Sequence, residues 1–85
     1  MSESRETRIK RMRMRSMRRG IKEMDLILSA YADRSIEAMD AGALDLYDAL
    51  LHENDQDLYQ WVTGQVSAPD RYRDLIADIS QTFQK

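Results

Sequence analysis

The chain has 85 residues, no cysteine, 33% charged residues and a formal net charge of −2. That length holds one small domain. The missing cysteines exclude a disulfide framework, thiol chemistry and Cys-based zinc sites, and no apolar run approaches the about 18 residues of a membrane-spanning helix. Only three glycines and one proline interrupt the sequence. Strand-like alternation is scarce and helical spacing is common, so the expected fold is all-α: a five-helix bundle forming one domain over residues 1–85.

The first helix is expected over residues 5–17, with residues 1–6 disordered because its apolar face is thin. Arg8, Arg11, Arg15 and Arg18 recur on one side of it. The second spans 21–32, where Ile21, Met24, Leu28 and Tyr31 make a core-facing stripe widened by Ile27. Gly20 separates the two, and Asp33-Arg34-Ser35 reads as the end of the second. The third covers 41–52 with Asp40 as N-cap. It presents Leu44, Tyr47 and Leu51, with Leu50 alongside. The fourth covers 56–63, capped by Asn54 or Asp55, apolar at Leu58, Trp61 and Val62, and ended by a left-handed Gly64. The fifth covers 68–83, with Ser67 as N-cap, Pro69 in the first turn, and a stripe of Tyr72, Leu75, Ile76, Ile79 and Phe83.

Charge is strongly polarised. Residues 1–22 carry nine basic groups against two acidic ones, a net +7, while residues 23–85 carry four against thirteen, a net −9. Such a chain either associates with a partner through its basic end or folds that end onto its own acidic body. Nucleic acid is one candidate partner. The acidic remainder opposes a duplex, and no aromatic residue is interleaved with the arginines to stack on bases. The small apolar face of Ile9, Met14 and Met17 argues against membrane-surface binding. Met12, Met14, Met17 and Met24 suit either core filling or adaptable contact.

Catalytic signals are poor. His52 is the single histidine, so no histidine pair can ligate a metal, and no serine has an adjacent base. Glu53, Asp55 and Asp57 lack the spacing of a calcium loop, with Leu58 where the glycine would stand. Their role is read as capping and solvation. A secretory signal would need an apolar stretch where this chain has more arginine, and Glu3 and Glu6 weaken a mitochondrial presequence. The expected compartment is the cytoplasm, or the mitochondrial matrix in a eukaryote. No metal and no catalytic residue is expected.

The sharpest local feature is Arg18-Arg19-Gly20-Ile21-Lys22-Glu23-Met24-Asp25. Its Arg-Gly-x-x-Glu pattern resembles the signature of the succinate dehydrogenase FAD assembly factors, called SdhE in bacteria, with a mitochondrial relative. Leu51-His52-Glu53-Asn54-Asp55-Gln56-Asp57-Leu58-Tyr59-Gln60-Trp61 is similar to that family's second motif. Motif spacing and total length agree, so the resemblance spans about residues 8–80. The first helix is more arginine-rich than the family pattern, which leaves open a contact peculiar to this chain.

The resemblance implies a five-helix, non-enzymatic assembly factor. It would bind the flavoprotein subunit of succinate dehydrogenase, and that of fumarate reductase, and promote covalent bonding between FAD and a histidine of the partner. FAD then belongs to the partner, and none is stably held here. The implied partner-binding residues are Arg18, Arg19, Gly20, Glu23 and Asp25, while Asp57 reads as a first-turn carboxylate and Trp61 as a buried core anchor.

Read as residues alone, Arg19 has a planar fork suited to bidentate pairing. Its alternative is an intramolecular bridge to Glu23, four residues on. Gly20 serves either close approach or a positive φ. Two other functions stand beside the assembly factor: a nucleic-acid-binding protein using residues 5–19, and an interaction bundle with a partner unrelated to flavin.

Overall fold

The computed structural model describes residues 3–83. They form an all-α bundle of five helices, as the periodicity predicts: α1 (Arg5–Met17), α2 (Lys22–Ser35), α3 (Ala41–Leu50), α4 (Asp55–Val62) and α5 (Arg73–Phe83). Short 3₁₀ turns occupy Ile36–Ala38 and Asp70–Tyr72. No strand occurs among the described residues.

Helix α2 is the centre. It packs against α1, α4 and α5, and α4 packs against α5. The core seals around Met24, Leu28, Ile36, Tyr47, Leu50, Leu58 and Ile79, all without measurable exposure. Helix α1 adds Met12 and a buried Ser16. The Ser16 hydroxyl donates to the Met12 carbonyl at 2.8 Å, which leaves its oxygen to accept from the Tyr47 hydroxyl at 2.6 Å. A buried polar side chain is tolerated here because each hydroxyl has a partner. Tyr31 likewise donates to Asp78 at 2.8 Å, and its ring meets Tyr47 edge-on at 5.6 Å.

Local chemistry sets most helix ends. Asp40 caps α3 by accepting from the Ala43 N–H at 2.8 Å, and Asn54 caps α4 by accepting from Gln56 at 2.8 Å. Gly64, at φ 81°, ends α4. The Gln65 N–H returns to the Gln60 carbonyl and the Gly64 N–H to Trp61, the paired bonds of a Schellman close.

Helix α1 begins at Arg5, with Ser4 as its cap accepting from the Thr7 N–H and Glu3 paired with Arg11 at 2.9 Å. Met1 and Ser2 lie outside the described residues. Three expectations are corrected. Helix α2 outruns residue 32 because Ile36 is fully buried, and that anchor holds the last turn helical. Helix α5 starts at Arg73, since the residue before a proline is kept out of the helical region and Pro69 is itself extended at ψ 149°. Ser67 therefore caps nothing. Trp61 is half-buried, its ring 5.9 Å from that of Tyr72, which is the buried member of the pair.

Candidate functional site

The turn between α1 and α2 is built on one guanidinium. Arg19 Nε donates to Asp55 Oδ1 at 2.7 Å, Nη1 to the Leu51 carbonyl at 2.9 Å, and Nη2 to the Glu53 carbonyl at 3.3 Å. Nη1 also reaches the Arg15 carbonyl at 3.3 Å. The Arg19 side chain retains 7% exposure and that of Asp55 14%. The planar fork thus closes the carbonyl-rich end of α3 and ties it to the start of α4.

Two backbone donors complete this clamp. The Gly20 N–H donates to the second Asp55 oxygen, and the Arg19 N–H donates to Asp25 in the first turn of α2. Because Asn54 takes the capping role on α4, both oxygens of Asp55 are free for the turn. A Cβ on Gly20 would stand 3.2 Å from Asp55 Oδ2. Gly20 does not have a positive φ, which among the described residues belongs to Gly64. Close approach, the first of the two roles open to Gly20, is the one observed.

The remaining arginines of α1 divide into two sets. Arg8 pairs with Asp45 at 2.7 Å and Asp48 at 3.4 Å, and Arg11 with Asp48 at 3.0 Å as well as Glu3. Arg13 spans Asp33 and Glu37, both at 2.9 Å, while Arg5 donates to the carbonyls of Glu37 and Met39. The basic end is folded onto the acidic body. Hydrogen bonding from Arg11, then Coulomb attraction to Arg11 and Arg8, holds the Asp48 carboxyl below its ordinary range against the opposing effect of burial. Lys10, Arg15, Arg18 and Lys22 meet no carboxylate among the described residues.

His52 is exposed, with Nδ1 held 2.9 Å from the Asp48 carbonyl near the end of α3. No group of three or more His, Cys, Asp or Glu side chains is placed to hold a metal among the described residues. No helix there is long and apolar enough to cross a membrane.

Residues 10–83 match the family model described as the flavinator of succinate dehydrogenase. The chain belongs to that family. It is 40% identical over 98% of its length to "Succinate dehydrogenase assembly factor 2, mitochondrial" of Meyerozyma guilliermondii, covering 62% of that protein. The protein of the same name in Schizosaccharomyces pombe is 35% identical over 98% of the chain, with 56% of the relative covered. A "Succinate dehydrogenase assembly factor 2-B, mitochondrial" of Drosophila mojavensis is 39% identical over 79% of the chain, with 44% of the relative covered. The chain thus spans about half the length of these curated relatives.

Within this flavinator-family chain the five residues expected on the partner surface separate. Arg18, Gly20 and Glu23 are exposed, while Arg19 and Asp25 are half-buried and engaged with the protein itself. Arg19 does not pair with Glu23; its carboxylate is Asp55, distant in sequence. The guanidinium turns inward because five N–H donors find one carboxylate and three carbonyls there. Asp55 is the residue that sequence reasoning missed. Its signal was the coincidence of the two motifs, one offering an unpaired arginine and the other a surplus carboxylate beside a sufficient cap at Asn54.

Proposed function

We propose that this chain binds the flavoprotein subunit of succinate dehydrogenase, and that of fumarate reductase, and promotes covalent attachment of FAD to the partner. The observation that carries the proposal is the family match over residues 10–83. Contact is made through the exposed edge of the α1–α2 turn: Arg18, Gly20 and Glu23. Arg19, Asp25 and Asp55 act behind it, fixing the backbone so that the edge is presented in one shape. A preorganised contact loses less entropy on docking than a floppy one.

The chain acts as an assembly factor and not as an enzyme. Its lone histidine is tied to a backbone carbonyl at 2.9 Å, and among the described residues no nucleophile–base pair supports covalent catalysis. FAD is held by the partner, and the reactive histidine is the partner's. Its place of action is where that flavoprotein matures, the cytoplasm of a bacterium or the mitochondrial matrix of a eukaryote; the relatives' names say mitochondrial.

The test is complementation of a host strain lacking its own factor, with covalent flavin on the dehydrogenase subunit read by in-gel fluorescence. Wild-type chain should restore the signal. Glu23→Ala should reduce it while leaving the circular dichroism spectrum and melting temperature unchanged. No restoration by wild type would end this reading of function, and full restoration by Glu23→Ala would remove Glu23 from it.

A further inference from the structure

The outer face of α1 presents cations that the acidic body does not use. Lys10, Met14 and Arg18 follow one another at four-residue spacing, with Arg11 and Arg15 alongside, and together with Thr7 and Arg19 they line one groove. Lys10, Arg15 and Arg18 are exposed and have no carboxylate partner among the described residues, while Arg8, Arg11 and Arg13 do. Met14 stands among them with 46% of its surface open.

We propose that this face docks an acidic segment of the partner protein, with an apolar side chain of that segment seated on Met14. The proposal rests on the reading above in taking the partner to be the flavoprotein subunit. Carboxylates would relieve the mutual repulsion of three exposed cations and draw the partner in from a distance. The thioether and the aliphatic stems of Lys10 and Arg15 give the apolar contact an adaptable floor.

Arg18 belongs both to this groove and to the turn bearing Gly20 and Glu23, so the two surfaces are continuous. The chemistry favours a protein over a nucleic acid. No aromatic ring lines the groove for bases to stack on.

Association and dissociation rates with the isolated flavoprotein subunit test this, measured for wild type and for a K10E/R15E/R18E variant at low and high salt. K10Q/R15Q/R18Q serves as the milder variant, and circular dichroism checks that each folds. Arg71→Glu, outside the groove, controls for a change of net charge. Charge reversal should slow association by about tenfold or more at low salt, and added salt should slow the wild type. Met14→Asp should speed dissociation several-fold, and Met14→Leu should not. Intact wild-type binding with unchanged rates in both triple variants would overturn this inference alone. Wild type that fails to bind the flavoprotein at all removes the functional reading, and this inference with it. Tighter binding of a labelled oligonucleotide than of the flavoprotein would also overturn it.

Discussion

The turn after α1 and the flank of α1 use the same residue type in opposite ways. At the turn, Arg19 and Asp55 are withdrawn from water, and the guanidinium is met by a carboxylate and by carbonyls of three residues. On the flank, Arg13 reaches Asp33 and Glu37 while those carboxylates keep 77% and 76% exposure. A buried pair fixes geometry, because either partner alone would be a charge without solvent. An exposed pair gains little, since water and salt screen it and two long side chains must be immobilised. The turn therefore sets the shape of the candidate interface, and the flank mainly makes a basic helix compatible with an acidic body.

The largest effect should come from Asp55→Ala. It removes the carboxylate facing the Arg19 guanidinium, which keeps only carbonyl acceptors, and the acceptor of the Gly20 N–H, at a cost of about 3–5 kcal/mol. Urea unfolding would show this as a lowered midpoint with unchanged slope. Asp55→Asn, which keeps an acceptor, should lose less. A loss below about 1 kcal/mol for Asp55→Ala would place this pair with the surface pairs and dissolve the contrast.

How strongly the interior beside the turn resists charge can be measured at Tyr47, whose ionised form Arg19 would stabilise. Burial nonetheless pushes its hydroxyl from the ordinary 10.0 up to about 12. The folded chain holds the proton more tightly than the unfolded one, so this contribution is complete below pH 10. It is lost as pH rises through about 12. The loss is on the order of 2–3 kcal/mol. Denaturation between those pH values should show it, and Tyr47→Phe should flatten that part of the profile. An equally steep alkaline loss in Tyr47→Phe would assign the effect to other tyrosines.

Much of this arrangement is legible in the sequence. The stripes of α2 and α5, the cap at Asp40 and the left-handed Gly64 are local signals, each decided within a few residues, whereas the α4 cap is narrowed only to Asn54 or Asp55. The second set of core residues was harder. Met12 and Ser16 sit on a helix whose apolar face is too thin to announce burial, and Ser16 is buried only because Tyr47 supplies a hydrogen bond from α3. The direction of Arg19 was not legible. Sequence spacing offered Glu23, four residues away, whereas the observed acceptors come from residues 51–55, which only the packed fold brings alongside. The motif was visible as a pattern, but its division into an exposed edge and a buried support is a property of tertiary structure.

Gly20→Ala probes the join between those two parts. The added Cβ, 3.2 Å from Asp55 Oδ2, forces the carboxylate to give by a few tenths of an ångström while it is held by Arg19. Overpacking of this kind costs about 1–3 kcal/mol, and the lower entropy of the unfolded alanine chain returns about 0.4–1 kcal/mol. A net loss of about 1 kcal/mol is expected, without backbone strain. In an Asp55→Asn background the loss should shrink, because the shifted group no longer carries the charge that anchors it. A stabilised Gly20→Ala would show that the carboxylate is free to move and that the clamp is loose.

The smallest effect should be on the flank. Arg13→Ala removes contacts at 2.9 Å to Asp33 and Glu37, yet leaves both carboxylates in water. No buried charge is stranded, so the loss should stay below about 1 kcal/mol and fade as salt rises. A double-mutant cycle between Arg13 and Asp33 isolates the pair from any packing lost with the arginine stem. A coupling above about 2 kcal/mol that persists at 1 M salt, where screening falls to about 3 Å, would mean that the flank is as rigid as the turn. Ordering by burial would then be the wrong rule for this molecule, and the basic helix would count as a structural element in its own right.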